Sequence, residues 1–304
     1  MRRGERASCL RIIASAVACV ASSVSAHAGH DAQGAPPAVS APAVPAPAVP
    51  APAVPPLNGP AAPLDDPSAT ADQRMAALDA LAAEQGTHPL LALMARARPM
   101  PMRDLRVRQY VAIAAALGQK LAHPVPAEVA SALLSEAANA DAPAAQIIAI
   151  RAIDAIPESA RPDGAARFAV TRIALATVPS RMVYDTAEFS VTAGTPVCIT
   201  MSNPDTLQHN LLVVAPRALS EIGIAGDKMG ETAAGKACHF TPDSPKVLAL
   251  MGIVDPGATG EVWFVAPAKP ATYPYVCTYP GHWRMMNGKM KVTAPATPEG
   301  DSKP

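Results

Sequence analysis

CTYPGHWRMM, running from Cys277 to Met286, puts one thiol, one imidazole and one thioether within ten residues, spaced C-x4-H-x3-M. Pro280 and Gly281 bend the chain sharply between Cys277 and His282, so both side chains can turn to one point. A thiolate, an imidazole and a thioether together suit a soft metal ion. The flanking residues show period-two alternation: Cys277 closes one strand and "KMKVTA" (289–294) forms the next. The loop therefore joins two strands of a β domain.

Working outward, the same period recurs upstream. "FAVTRIALATV" (168–178), "EFSVTAG" (188–194), "PVCITMSN" (196–203), "HNLLVVA" (209–215) and "EVWFVAP" (261–267) are β-branched or alternating runs between turn residues. Six or more short strands within about 125 residues predict a sandwich or barrel. "RALSEIGIAGDKMGETAAGKA" (217–237) interrupts them and reads as a helix-bearing insertion.

One imidazole is missing from the loop. Two imidazoles, one thiolate and a weak axial thioether make a blue-copper site, acceptable to both Cu(II) and Cu(I). The candidates are His209, which opens an alternating run after the turn "NPDTLQ", and His239, in the loop "CHFTPDSP". The strand-edge position favours His209. Asn210 can then tie that strand to the ligand loop near Thr278. A Cys–His hydrolase would want its nucleophile at a helix N-terminus, and zinc rarely takes methionine. The expected metal ligands are His209, Cys277, His282 and Met286.

These motifs resemble a known family. "CTYPGHWRMM", "NPDTLQHNLLVV" and "KACHFTPDSPKVLALMGIVDPGATGEVWFVAP" are similar to stretches of the cupredoxins of the azurin/plastocyanin group, over residues 167–294. The resemblance implies an all-β Greek-key sandwich with one type 1 copper on those four ligands, steadied by Asn210. It implies an electron carrier rather than an enzyme, with the edge of His282 as electron port and Trp283 and Met285 in the surrounding patch. A c-type cytochrome or periplasmic oxidoreductase is the expected partner. Gln208 stands where azurin has glycine, and Trp283 follows His282 where smaller residues are common.

Residues 65–160 have a different character. Runs such as "ADQRMAALDALAAEQ", "RDLRVRQYVAIAAALGQKLA" and "PAAQIIAIRAIDAI" carry helical spacing, punctuated by Pro, Gly and Asp. They predict an all-α region of paired-helix, HEAT-like repeats. The composition shift near 156–164 sets a boundary, so each side is expected to bury its own core. A chain starting near Ala165 is expected to bind one copper alone.

Residues 27–64 form a Pro/Ala-rich linker built on "APAVP", semi-rigid and extended. Residues 1–26 read as a signal peptide: basic "MRRGER", a short apolar run, and small residues before a cut after Ala26. Lipid attachment at Cys19 is the lesser alternative. The apolar run is shorter than the ~20 residues that span a bilayer, so the mature protein is expected to be exported and without a membrane span. Residues 295–304 read as a disordered tail.

Half of the residues are hydrophobic but only 4% are aromatic, so alanine inflates the apparent core. The net charge is zero and no basic face clusters, which excludes a nucleic-acid partner. Two further sets of soft or basic ligands, His27/His30 and Met100/Met102, leave a copper carrier or store as the rival function. Cys198 and Cys238 are left as a possible pair.

Overall fold

The computed structural model describes residues 54–295. The expected signal peptide, Cys19, His27, His30, most of the expected linker and nearly all of the expected tail lie outside the described residues. No helix among the described residues is long and apolar enough to cross a membrane.

Five helices come first: α1 (Ala71–Gln85), α2 (Pro89–Ala97), α3 (Leu105–Gln119), α4 (Ala127–Ala137) and α5 (Pro143–Ala155). Their starts follow from local chemistry. Thr70 and Gln73 form a reciprocal capping box on α1. His88 and Asp104 accept the orphan amides of α2 and α3. Gly86, at φ 64°, ends α1 in the left-handed conformation that glycine adopts without steric cost.

The helices fall on the runs that carry helical spacing, and one of them is central to the packing. Helix α5 carries Ile147, Ile148, Ile150 and Ile153 all buried, and it packs against α2, α3, α4 and the β domain. Being apolar on nearly every side, it belongs at the centre of a cluster.

The β domain contains β1 (Thr171–Val178), β2 (Val183–Tyr184), β3 (Glu188–Thr192), β4 (Pro196–Ser202), β5 (Leu212–Val214), β6 (Val247–Leu250), β7 (Thr259–Val265), β8 (Ala271–Val276) and β9 (Asn287–Thr293). One sheet has the order β2-β1-β4-β7 and the other β3-β9-β8-β5-β6. Pairing is antiparallel except for β1 with β4 and β3 with β9. The insertion after β5 supplies helices α6 (Leu219–Met229) and α7 (Ala233–Ala237).

Side chains alternate across the sheets, as pleating requires. Val197, Ile199 and Met201 of β4, with Val262 and Phe264 of β7, enter the core between the sheets. Cys198 and Trp263, paired across the same two strands, point the other way into the helical core. The helices thus cover the outer face of this sheet: the sandwich keeps its own core between the sheets, while the helical core takes in Cys198 and Trp263 from the outer face. Arg151 lies over the Trp263 ring at 4.4 Å, and Arg172 of β1 pairs with Asp154 of α5 at 2.8 Å. Cys198 is a free thiol, so it does not pair with Cys238.

Candidate metal centre

The ligand loop is a chain of turns clamped at its base. The Cys277 amide donates to the Met286 carbonyl at 3.0 Å, just beyond the β8–β9 ladder. The His282 amide donates to Tyr279, and the Met285 and Met286 amides both donate back to the His282 carbonyl. Gly281 has φ 86°, which a side chain would resist. These bonds fold ten residues tightly enough to return Met286 beside Cys277 in the buried core cluster.

His209 arrives from the other side. It forms a two-bond bridge with Val254, its amide donating at 3.2 Å and its carbonyl accepting at 2.7 Å. Its ring then meets the loop: Cys277 Sγ lies 3.9 Å from His209 Nδ1 and 3.6 Å from His282 Nδ1. All three ligand atoms fall within 4.8 Å of one another. His239 is elsewhere: its Nδ1 accepts the Ile253 amide.

The donors suit copper. Burial pushes the Cys277 thiol up to about 12, against hydrogen bonds from the Asn210 and Tyr279 backbone. Burial and the nearby His209 push His282 down to about 4. Burial also lowers His209, opposed by Asp205. Neutral imidazoles offer lone pairs, and a buried thiol that gives up its proton to a metal gains a counter-charge. A soft sulfur, two imidazoles and a buried thioether form a set suited to a type 1 ion.

His282 is 6% exposed, whereas His209, Cys277 and Met286 are fully buried. Tyr279 covers one side of the His282 ring at 4.8 Å between centroids, and His209 lies 5.0 Å away. Asn210 bonds the loop twice: its Oδ1 accepts the Thr278 amide at 2.7 Å and its Nδ2 donates to Thr278 Oγ1 at 2.9 Å. The same Nδ2 donates to the His239 carbonyl. Met285 is 62% exposed. Trp283 is half-buried: its Nε1 donates to Asp227 of α6 at 2.8 Å, and its ring lies against Gly223. Gln208 donates to Asp255.

Sequence reasoning missed Asp227, which accepts the Gly281 amide, Trp283 Nε1 and an Arg284 nitrogen. It also missed Asp205, whose carboxylate meets His209 Nε2 at 3.2 Å. Neither lies in the ligand loop. An aspartate four residues before a candidate ligand was the one available signal.

Comparison with known proteins agrees with this geometry. Residues 172–293 match the family model described as copper binding proteins, plastocyanin/azurin family. Auracyanin-A of Chloroflexus aurantiacus is 34% identical over 113 residues, covering 36% of this chain and 67% of the relative. Auracyanin-B of the same organism is 31% identical over 118 residues, 38% of this chain and 49% of its own length. Azurin iso-2 of Methylomonas sp. strain J is 37% identical over 86 residues, 28% of this chain and 64% of that protein. The solved structure of auracyanin A, titled a "blue" copper protein, aligns at a TM-score of 0.38 with 31% identity, covering 41% of this chain and all of that one. Copper is the cofactor, and the cluster of His209, Cys277 and His282 is consistent with one type 1 ion. Through residues 172–293, the chain belongs to the plastocyanin/azurin family of copper-binding proteins.

Proposed function

We propose that this protein is an exported carrier of single electrons, with one type 1 copper held by His209, Cys277, His282 and Met286. The carrying observation is the preassembled site: three ligand atoms within 4.8 Å, on side chains almost wholly removed from water. The copper supplies a one-electron couple. The chain supplies the rest. Asn210, with its two bonds to Thr278, holds the strand of His209 to the loop of Cys277. Bridging and loop hydrogen bonds keep His209 and His282 in place, so little needs to rearrange when charge changes. Tyr279 and the core cluster exclude water. The slightly exposed edge of His282, beside exposed Met285, is the port for a c-type cytochrome or periplasmic oxidoreductase. Catalysis forms no part of this reading. The helical segment would act in docking.

The rival, a copper carrier or store, loses support at its methionine pair. Met100 is buried in the helical core, and Met102 is half-buried where both cores meet. Neither offers an open labile site.

The test is a copper titration of the full chain followed by visible absorption. One equivalent should produce an intense thiolate-to-copper band in the red, and Cys277→Ser should remove it. A loaded protein without colour, or a coloured serine variant, would falsify the reading.

A further inference from the structure

Asp205 is an almost fully buried carboxylate, 3% exposed. Its Oδ1 accepts the Thr206 amide at 2.7 Å and the Ser180 amide at 3.2 Å, with the Thr206 hydroxyl at 3.5 Å. Its Oδ2 faces His209 Nε2 at 3.2 Å. The amides can only donate, so Oδ1 serves as their acceptor and Oδ2 is left to face the imidazole nitrogen.

The frame around this contact is rigid. The Asp205 amide donates to Asn203 Oδ1, which also accepts from Thr177 Oγ1 at 2.7 Å. Asn203 Nδ2 donates to the carbonyls of Leu207 and Val254. Val254 is the bridge partner of His209. Ser180 takes φ 59°, a conformation few non-glycine residues adopt, and its amide meets the carboxylate there. One network thus fixes both the ring and its acceptor.

A neutral imidazole has one proton for two nitrogens. Nδ1 faces Cys277 Sγ at 3.9 Å, where the metal would sit between them. The geometry points to Asp205 as a positioning residue: it holds the His209 proton on Nε2, leaves the Nδ1 lone pair for copper, and biases the site toward Cu(II). A carboxylate acceptor makes the ring a stronger donor and brings a negative charge close to the ion. Both effects favour the more highly charged state and lower the reduction potential. The inference rests on the copper reading above.

The test compares copper-loaded full-length protein with Asp205→Asn and Asp205→Ala. Each variant should favour Cu(I) about tenfold more at a given potential, an upward shift of about 59 mV for one electron. Thr177→Val cuts the same network without touching the carboxylate. It should lower stability and leave the Cu(I)/Cu(II) ratio at a given potential within about twofold. An unchanged potential in both Asp205 variants, or an equal shift in Thr177→Val, overturns the assignment. Should neither Asp205 variant fold, 15N NMR of the wild-type protein decides. A slowly exchanging proton on His209 Nε2 supports the role, and a proton on Nδ1 overturns it. A wild-type chain with no red band sinks the copper reading instead, and the ring proton is then read in metal-free protein.

Discussion

Met285 and Met286 are chain neighbours with opposite surroundings. Met286 is fully buried in the cluster that holds Cys277, while Met285 is 62% exposed. Of the two, Met286 is the proposed axial thioether, because only its side chain is buried with Cys277. Losing a weak donor destabilises Cu(II) more than Cu(I). Met286→Leu should therefore keep copper and raise the potential, shifting the Cu(I)/Cu(II) ratio about tenfold or more, about 59 mV. Met285→Leu should leave the potential unchanged, and voltammetry of the two variants checks this. The reverse pattern would reassign the ligand. At this scale, the closeness of Cys277 and His282 was legible because one loop supplies both and their spacing is local. His209 was legible through the alternating run it opens, although it lies in an isolated bridge with Val254 ahead of β5. Asp205 was not, because "NPDT" reads as an ordinary turn. Its meaning depends on Ser180, 25 residues upstream, being folded against it.

Helix α6 shows how an element outside the two sheets serves the site. Its Gly226 lets the ligand loop approach: a Cβ there would stand 2.8 Å from the Thr278 carbonyl oxygen. Gly223 leaves room for the Trp283 ring. Asp227, between these contacts and the helix end, gathers three donors from the loop. Asp227→Ala leaves those donors to water and should cost about 1–3 kcal/mol in the metal-free protein. It should also speed copper release to a chelator, because the loop loses its outer anchor. Urea unfolding with and without copper, and stopped-flow copper removal, measure both effects. Wild-type release kinetics in the variant would show that the loop needs no help from α6. The insertion was legible as helix-bearing, but its target was not, since no local pattern says which loop a helix will meet. Among strands, the alternating runs marked β1, β3, β4, β5, β7 and β9. Strand β8 was legible only at its end, which Cys277 closes, because it contains Pro274, a residue that usually argues against a central strand. It is tolerated because β5 pairs with β8 only at Tyr275 and Val276. At Pro274 the side toward β5 is therefore open.

The helical segment and the β domain are legible as two compositions but not as one packed body. "PVCITMSN" and "EVWFVAP" read as strands, and nothing in their alternation tells whether the outer face meets water or protein. Cys198 and Trp263 are 4% and 5% exposed because helices cover them, with Val265 packed against the same cluster. Arg108 of α3 also fills the space that a side chain at Gly252 would need. A chain starting at Ala165 keeps every proposed ligand, both bonds between Asn210 and Thr278, and Asp205. Its red absorption band should survive. It loses the cover over Trp263 and Cys198, and burial of one large apolar side chain contributes about 1.5–3 kcal/mol. The shortened, copper-loaded chain should therefore unfold at lower urea, by about 3 kcal/mol or more, and should self-associate through its bared sheet face. Trp263→Ser in the shortened chain should restore a monomer, because the patch is centred on that ring. In the full-length protein the same substitution should destabilise, since it removes the ring from a packed core. Sedimentation velocity and urea melts of the four proteins separate these outcomes. A shortened chain as stable and monomeric as the full one would mean that the helices rest on the sheet without supporting it.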